Sequence, residues 1–209
     1  MDALEAIETC RSIRRLRPDP VPQELLVDLV RYATCAPSAG NSQHWRFLVV
    51  TGEEERRWFR DMLVEALGVR LAWVPEEGDT SSAARNQRMY RSFILDFDKI
   101  PAFVLTTIEN AFPSREAPDP QFMWSSVYAA TQNLLLAARA LGLGAAMTTN
   151  HKENEPAVRA YFAIPDDVGI GATVPIGYPV GRYGPLTRRP VEEVVNWGRW
   201  DRWEAPVAD

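Results

Sequence analysis

DPQFMWSSVYAATQNLLLAARAL, residues 119–141, is the stretch that decides the fold. Its apolar side chains recur at helical spacing, with Val127, Ala130 and Leu134 along one face. The spacing predicts one long helix, which Gly142 ends because glycine commonly closes a helix. Such an apolar helix is hard to bury in a monomer of 209 residues, so the sequence also indicates a dimer.

Apolar stretches rich in β-branched residues lie on both sides of this helix in the sequence and predict strands. The predicted strands cover 46–51, 102–108, 143–149 and 170–176. The other predicted helices cover 2–9, 53–67, 83–97 and a segment beginning near Pro22, with a loop at 75–82. Strands interspersed with helical insertions favour an α+β fold, a mixed β-sheet flanked by helices on both faces, over a doubly wound fold.

The composition indicates a single domain that covers residues 1–209. The chain is 46% hydrophobic and 24% charged, and its prolines and glycines are scattered rather than gathered into a linker. Its 23 Lys+Arg against 28 Asp+Glu give a net charge of −5, which argues against nucleic-acid binding. Two cysteines cannot form a disulfide framework, and no Cys/His spacing resembles a metal site. Without a signal-peptide pattern or an apolar run of about 20 residues, we expect a cytoplasmic protein with no membrane partner.

The common nucleotide-binding and hydrolase motifs are missing from the sequence. Gly169-Ile170-Gly171 lies in a predicted strand, and Val174 stands where a dinucleotide fingerprint requires its third glycine. The motifs G-x-x-x-x-G-K-[ST], G-x-S-x-G and H-E-x-x-H do not occur either. The sequence therefore argues against a Rossmann or P-loop nucleotide enzyme.

Four segments carry candidate chemistry, and the first of them is basic. Arg11, Ser12, Arg14 and Arg15 follow a short predicted helix and can converge on one phosphate group through charge-assisted hydrogen bonds. Taken alone, a solvated basic turn is the better interpretation of this segment.

The second segment is APSAGNSQHW, residues 36–45, which runs directly into a predicted strand. Its small residues would let the backbone approach a flat ring closely, and Ser38, Asn41 and Gln43 offer hydrogen bonds to ring edges. An ordinary helix–strand connection has the same polar composition, although ten residues is long for one.

The remaining two segments are predicted strands with polar ends. Residues 142–149, GLGAAMTT, would present backbone N–H groups and two threonine hydroxyls to a cofactor, but a buried structural strand looks the same. Residues 174–195 lead from a strand through Arg188 and Arg189 into a short amphipathic tail. As a surface tail this last segment would be unremarkable.

In this order and at these separations, the four segments resemble the FMN-dependent nitroreductase superfamily, from residue 4 to about residue 203. The resemblance implies a nitroreductase-like fold in a domain-entwined homodimer, with residues 190–209 as a C-terminal extension packing on the partner subunit. Trp197, Trp200 and Trp203 would anchor that extension. FMN is the implied cofactor and NAD(P)H the implied electron donor.

The resemblance also implies which residues bind FMN. The phosphate and ribityl oxygens would be held by Arg11, Ser12, Arg14 and Arg188, with Arg189 or Arg15 compensating for Cys10, where the family often has a second arginine. The isoalloxazine ring would be lined by Pro37, Ser38, Ala39 and Gly40, with Asn41 bracing the loop. The last residues of the third segment, Met147, Thr148 and Thr149, would face the flavin N5.

Two details of the resemblance separate this chain from the best-known nitroreductases. The Met147-Thr148-Thr149 sequence is more similar to the deiodinase and flavin-destructase side of the superfamily. His44 stands where many relatives have proline, and we expect this histidine at the surface. The Glu-Tyr-Lys lid of the deiodinases is missing, so deiodination is not predicted.

The predicted reaction is a ping-pong transfer from NAD(P)H through the flavin to a small acceptor of nitroaromatic, quinone or enone type. Thr149 is the predicted residue for tuning the flavin at N5. Residues 70–125 would decide the substrate, with lid candidates Arg85, Arg88, Tyr90, Arg91, Phe112, Phe122 and Trp124. A solvated helix face is an equally good interpretation of those arginines.

Several alternatives stay open at this point. The chain could be a specialised FMN enzyme, such as a biosynthetic dehydrogenase, an oxidase or a flavin-fragmenting enzyme. It could also bind flavin without turnover. Nucleic-acid binding by the cluster Arg11–Arg17, and a cysteine hydrolase built on Cys35 and His44, are more remote.

Overall fold

The computed structural model describes residues 1–181, 183, 184, 186–201 and 203, so part of the predicted extension 190–209 lies outside the described residues. Seven α-helices occur in this part of the chain: α1 (Ala3–Thr9), α2 (Gln23–Ala33), α3 (Glu53–Ala66), α4 (Gly68–Ala72), α5 (Ser82–Leu95), α6 (Pro120–Ala140) and α7 (Glu155–Phe162). The strands are β1 (Trp45–Val50), β2 (Ala102–Glu109), β3 (Gly144–Ala145) and β4 (Val168–Gly177).

The strands form one sheet in the order β1-β2-β4-β3. The α+β class is confirmed, but the sheet is not mixed within the described residues, because every pairing between neighbours is antiparallel. β1 ends at Val50, opposite Phe103 at the start of β2. The chain therefore re-enters the sheet at the end where it left, after the helices α3, α4 and α5.

Helices cover both faces of the sheet, as the sequence predicted. Ala102 and Val104 of β2 pack with α2 and α6 on one face. Phe103 and Leu105, the alternate residues, pack with α3, α5 and α7 on the other. Successive side chains of a strand point to opposite faces, so the central strands are apolar at almost every position.

One face of the long helix α6 is buried by its own chain. Val127, Ala130 and Leu134 are fully buried, and the helix packs against α2 and the sheet. Its start is defined by Asp119, whose side chain accepts a hydrogen bond of 2.8 Å from the backbone N–H of Gln121. Phe122 and Tyr128 on the remaining face are 41% and 40% exposed, so the expectation that a second subunit completes the burial of this helix stays a prediction.

β3 is shorter than the predicted strand 143–149. Gly144 pairs with Gly177, and the same register returns at Thr148, which pairs with Thr173. Between these pairs the register places Ala146 opposite Pro175, which has no N–H to donate. The proline removes a ladder hydrogen bond, so the strand is interrupted there.

The segment between residues 149 and 168 contains helical structure that the sequence patterns did not predict. A 3₁₀-helix covers Asn150–Asn154 and leads into α7. The side chain of Asn154 caps α7 by accepting a hydrogen bond of 3.3 Å from the N–H of Ala157. Separately, no helix in the described part of the chain combines the length and apolarity needed to cross a membrane.

Candidate functional site

The basic segment 11–17 lies along the outer edge of β3 and the end of β4. The N–H of Ile13 donates to the carbonyl of Ala145 at 2.9 Å, and the N–H of Arg17 donates to the carbonyl of Tyr178 at 2.8 Å. Ile13 also packs so closely on Gly144 that a Cβ there would lie 2.8 Å from its Cγ2. Glycine at 144 therefore allows the segment to dock, and the docking places its arginines beside the third candidate segment.

Three arginines of this segment carry charge that the described part of the chain leaves uncompensated. Among the described residues, neither Arg11, Arg14 nor Arg15 has a carboxylate within ion-pair distance, whereas Arg17 lies 3.5 Å from Asp19. Guanidinium groups without acidic partners form a donor set suited to a bound anion.

A tyrosine that sequence analysis missed anchors the chain after β4. The hydroxyl of Tyr183 donates to the carbonyl of Leu143, and its ring lies 4.1 Å from the guanidinium carbon of Arg139. Burial raises the pKa of Tyr183 to about 12, so the hydroxyl stays protonated as a donor. The anchor brings Gly184 next to the guanidinium of Arg11.

Arg188 and Arg189, predicted to reach the same phosphate, follow this anchor with exposed side chains. Arg188 Nη1 donates to the carbonyl of Thr187 at 2.9 Å. No contact in the described part of the chain holds either arginine against Arg11 or Arg14, so the structure does not assemble the whole predicted set.

The loop before β1 is held in an unusual backbone conformation by its own polar groups. Gly40, Asn41 and Gln43 all have positive φ, and the hydroxyl of Ser38 accepts a hydrogen bond of 3.1 Å from the N–H of Gln43. The side-chain amide of Gln43 donates to Asn41 Oδ1 at 3.2 Å. At its other end the loop is tied to α6, because the N–H of Ala39 donates to Ser126 Oγ at 3.2 Å.

Two phenylalanines from the predicted lid region stand over this loop. The Phe112 ring occupies the space beside Gly40, where an added Cβ would lie 2.6 Å from Cε2. Phe112 also meets Phe122 edge to face, with ring centroids 5.2 Å apart. The segment is tied down by Glu109, which accepts 2.9 Å and 2.6 Å hydrogen bonds from Arg46 and Arg115; these guanidinium groups hold the Glu109 pKa below its usual value.

The three arginines of the predicted lid have a different role. Arg85 and Arg88 donate to the backbone carbonyls of Thr80 and Asp79, and Arg91 Nε donates to the carbonyl of Leu71 at 3.0 Å. They hold the connection between α4 and α5 in place. The alternative interpretation, that these arginines belong to an ordinary helix face, is thus closer to the structure than an anion-binding lid.

His44 was expected at the surface, and its side chain is half-buried instead. Its Nδ1 is enclosed and has no hydrogen-bond partner among the described residues. The exposed Cys35 donates its thiol to the carbonyl of Arg31, at 3.5 Å, rather than to the histidine. The structure therefore gives no support to a Cys35–His44 catalytic pair.

The predicted flavin-facing residues form a turn closed on one residue of β4. Thr148 exchanges backbone hydrogen bonds of 3.0 and 2.9 Å with Thr173, and its hydroxyl donates to the carbonyl of Thr173 at 2.7 Å. His151, three residues later, returns to the hydroxyl of Thr173 through its backbone N–H at 3.2 Å and its Nδ1 at 3.1 Å. Thr149 is left exposed at the tip of the turn.

His151 is fully buried, and burial is the main reason that its pKa is lowered to about 4, an effect partly opposed by the charge of Glu155. The ring is therefore neutral at physiological pH. No motif singled out this histidine or Thr173, because the contact joins a short helix to a strand about twenty residues later. The NHK sequence at 150–152 contains no recognisable signal for it.

The loop and the basic segment are far apart within one chain. The loop is tied to Ser126, near the start of α6, while Arg139 near its end bonds Thr9 at 2.8 Å, just before the basic segment. The thirteen residues between these two contacts correspond to about 20 Å of helix. One chain therefore brings the basic segment to β3 and the Thr148–His151 turn to β4, but holds the loop elsewhere.

Comparison with known proteins places this arrangement in a family. A family-level comparison matches residues 7–178 to the Nitroreductase family. The chain belongs to this family. As a nitroreductase-family protein it is 31% identical over 204 residues to an NADH dehydrogenase of Thermus thermophilus, covering 94% of this chain and 96% of that one.

Other similar proteins show how varied the nitroreductase family is. A 5,6-dimethylbenzimidazole synthase of Rhodospirillum rubrum is 29% identical over 207 residues, covering 99% of this chain and 93% of that one. Among solved structures, an oxidised iodotyrosine deiodinase bound to FMN and 3-iodo-L-tyrosine superposes with a TM-score of 0.69. It is 22% identical and covers 90% of this chain and 95% of the deiodinase chain, so it shows the shared fold.

The buried His151 predicts an acid-dependent loss of stability. Its pKa is about 4 in the folded protein against an ordinary value of 6.5, so between these values the unfolded chain binds a proton that the folded protein does not. The free energy of unfolding therefore falls as pH drops from 6.5 to 4. Between pH 6.5 and pH 4 the free energy of unfolding of the wild type should fall by about 3 kcal/mol more than that of His151→Leu. Urea unfolding at each pH measures both proteins. Equal losses in the two proteins would contradict the prediction.

Proposed function

We propose that this protein is an FMN-dependent oxidoreductase that takes electrons from NAD(P)H and reduces a small organic acceptor by a ping-pong mechanism. The observation that carries the proposal is the basic segment 11–17 docked on β3, the strand that leads into the Thr148–His151 turn. The name of the Thermus thermophilus relative supports an NADH donor, and the FMN of the deiodinase structure supports the cofactor.

The residues present fit FMN by their chemistry. Arg11, Ser12 and Arg14 would bind the phosphate, with Arg188 and Arg189 joining them from the segment after Tyr183, because bidentate guanidinium groups suit phosphate oxygens. The loop residues Pro37, Ser38, Ala39 and Gly40 would line the ring, and Met147, Thr148 and Thr149 would stand at its N5 edge. When bound, the flavin accepts a hydride from the nucleotide and passes the electrons to the acceptor.

The protein's own contribution is positioning and electrostatics. Thr149 offers an exposed hydroxyl from a turn that is held at both ends. Arg11, Arg14 and Arg15 supply positive charge, and no acidic side chain among the described residues pairs with them. His151 is neutral and buried, so it adds no charge to the site. A dedicated acid or base is not required, because the chemistry resides in the cofactor.

We further propose that the active protein is a homodimer, with the ring-lining loop supplied by the second copy. This would join the halves of the site that α6 separates by about 20 Å. An apolar groove of about 680 Å³ between α2 and β1, lined by residues such as Val27, Val30 and Val49, would receive the partner's C-terminal extension. That extension exposes apolar side chains suited to the groove, among them Val191, Val194, Trp197, Trp200 and Trp203.

A second candidate is a specialised FMN enzyme, favoured by the 29% identity to the 5,6-dimethylbenzimidazole synthase across almost the whole chain. Such an enzyme would react productively with oxygen rather than turn over with NAD(P)H. The two candidates differ in how the bound flavin is reduced, which is directly measurable.

The deciding experiment is an absorbance spectrum of the protein reconstituted with FMN, followed by anaerobic addition of NADH and then NADPH. Rapid bleaching of the bound-flavin bands by either nucleotide is the expected result. Bound flavin that resists both nucleotides would favour the specialised enzyme or a flavin-binding protein without turnover. Failure to bind FMN would overturn the proposal.

Arg14→Gln tests the phosphate site. Loss of one charged donor to a phosphate should weaken FMN binding at least about tenfold, since hydrogen bonds to charged groups contribute about 1.5–3 kcal/mol. The matched control is Arg57→Gln, which removes an exposed arginine paired with Glu53 on α3. Titration with FMN, followed by flavin fluorescence, measures both; equal affinities would contradict the assignment.

Phe112→Ala tests the role of the lid segment in acceptor choice. Removing the ring beside Gly40 opens space over the loop, so the ratio of kcat/KM for a bulky quinone to that for a small quinone should rise about tenfold. Trp73→Ala, an exposed aromatic in the same region, should leave the ratio unchanged. The rate of flavin reduction by the nucleotide serves as an internal standard for each protein. An unaltered ratio of kcat/KM for the two quinones in Phe112→Ala would exclude a role of Phe112 in acceptor choice.

Val27→Asp tests the dimer. A charge in the groove between α2 and β1 would have to be desolvated under the partner's extension, so the variant should be monomeric. It should also lose FMN binding, because the ring-lining loop comes from the second copy. Val69→Asp, at a position that is 91% exposed, is the control. Sedimentation analysis measures the mass of each protein. A Val27→Asp dimer with normal FMN affinity would place the interface elsewhere.

A further inference from the structure

His151 is a buried polar ring that the proposed mechanism leaves without a role. Its Nδ1 lies 3.1 Å from the hydroxyl of Thr173, and its Nε2 has no hydrogen-bond partner in the described part of the chain. A buried polar atom without a partner costs free energy, and an apolar side chain of similar size would avoid that cost. The ring therefore needs a reason to be there, and the contact with Thr173 is the candidate.

The direction of that contact depends on which ring nitrogen of His151 carries the proton. The hydroxyl oxygen accepts the backbone N–H of His151 at 3.2 Å. With the ring proton on Nε2, Nδ1 accepts the proton of the Thr173 hydroxyl, and the two contacts use both the acceptor and the donor of that hydroxyl. The carbonyl of Thr173 is already used twice by Thr148, through its N–H and its hydroxyl.

Thr173 thus closes a four-residue turn from both sides. Thr148 is held at the first position and His151 at the fourth, and Thr149 lies between them with an exposed side chain. The carbonyl of Thr149 accepts the N–H of Lys152 at 2.8 Å, which starts the 3₁₀-helix and leaves the Thr149 hydroxyl as the group that the turn presents. Loosening the His151 end would free the tip while leaving the Thr148 end attached.

We infer that His151 is a positioning residue: by accepting the Thr173 hydroxyl proton it fixes the turn and so sets where Thr149 meets the flavin. The inference rests on the proposed function, because only that function places a flavin next to the turn. It assigns a specific task to a side chain that is fully buried beneath the turn.

The test compares His151→Leu, which removes the acceptor, with His151→Asn, whose Oδ1 replaces Nδ1 as an acceptor close to the backbone. His151→Leu should weaken FMN binding about tenfold, the cost of leaving one buried donor unpaired, and should shift the midpoint potential of the bound flavin. His151→Asn should restore both values most of the way to those of the wild type. Amide hydrogen exchange of residues 148–151 should rise in the leucine variant and not in the asparagine variant.

The same contact can be removed from its other end. Thr173→Val deletes the hydroxyl and should reproduce the effects of His151→Leu, while Thr173→Ser should behave as the wild type. The double variant His151→Leu/Thr173→Val should have the same FMN affinity and midpoint potential as either single variant, because both substitutions remove the same interaction. Val158→Ala is the control for general destabilisation, since Val158 is buried on the same face of the sheet and should lower stability without moving the potential.

The outcomes separate this inference from the proposed function. Wild-type FMN affinity and potential in both His151→Leu and Thr173→Val would overturn the positioning role while leaving the flavin enzyme intact. A shift of the potential in Val158→Ala equal to that in His151→Leu would also overturn it, because the effect would then follow from lost stability. Failure of the wild-type protein to bind FMN would overturn the function and the positioning role together.

Discussion

The structure depends on β4, a strand that has to bond on both edges and pack on both faces. It lies between β2 and β3, and it is buried along nearly its whole length. Such a strand has no free backbone groups to spare, so each irregularity in it is transmitted to a neighbour. Pro175 interrupts the ladder to β3, and Thr173, two residues earlier, resumes it at Thr148. The turn that presents Thr149 is a direct consequence of these two residues.

A second constraint is the concentration of positive charge in one segment of an otherwise acidic chain. The chain has a net charge of −5, but the segment 11–17 is strongly basic and docks where β3 ends. Its position depends on Gly144, which lets Ile13 and Leu16 approach the strand, and on backbone pairing to residues 178–180. The segment is thus held by apolar packing and backbone bonds, and no ion pair of Arg11, Arg14 or Arg15 is seen in the described part of the chain.

Sequence patterns worked where the physics is local. The periodicity of apolar residues located five of the seven helices in the described part of the chain, and composition located the strands. The short helices α4 and α7 were missed. The patterns failed where a distant residue intervenes. The strand predicted at 143–149 was cut short by Pro175 of β4. The arginines of α5 bind backbone carbonyls, because the adjacent connection supplies acceptors that no helical pattern reveals.

By itself, the sequence determined the α+β class, the family resemblance and the candidate segments, because helix spacing, strand composition and short motifs are written in neighbouring residues. The tertiary structure alone decided that Thr173 and His151 close the turn beneath Thr149, that Phe112 covers Gly40, and that the loop and the basic segment sit at opposite ends of α6. Each of these facts joins residues far apart in the chain. Their contact is fixed by the register of β4 and the length of one helix, quantities that exist only once the sheet has formed.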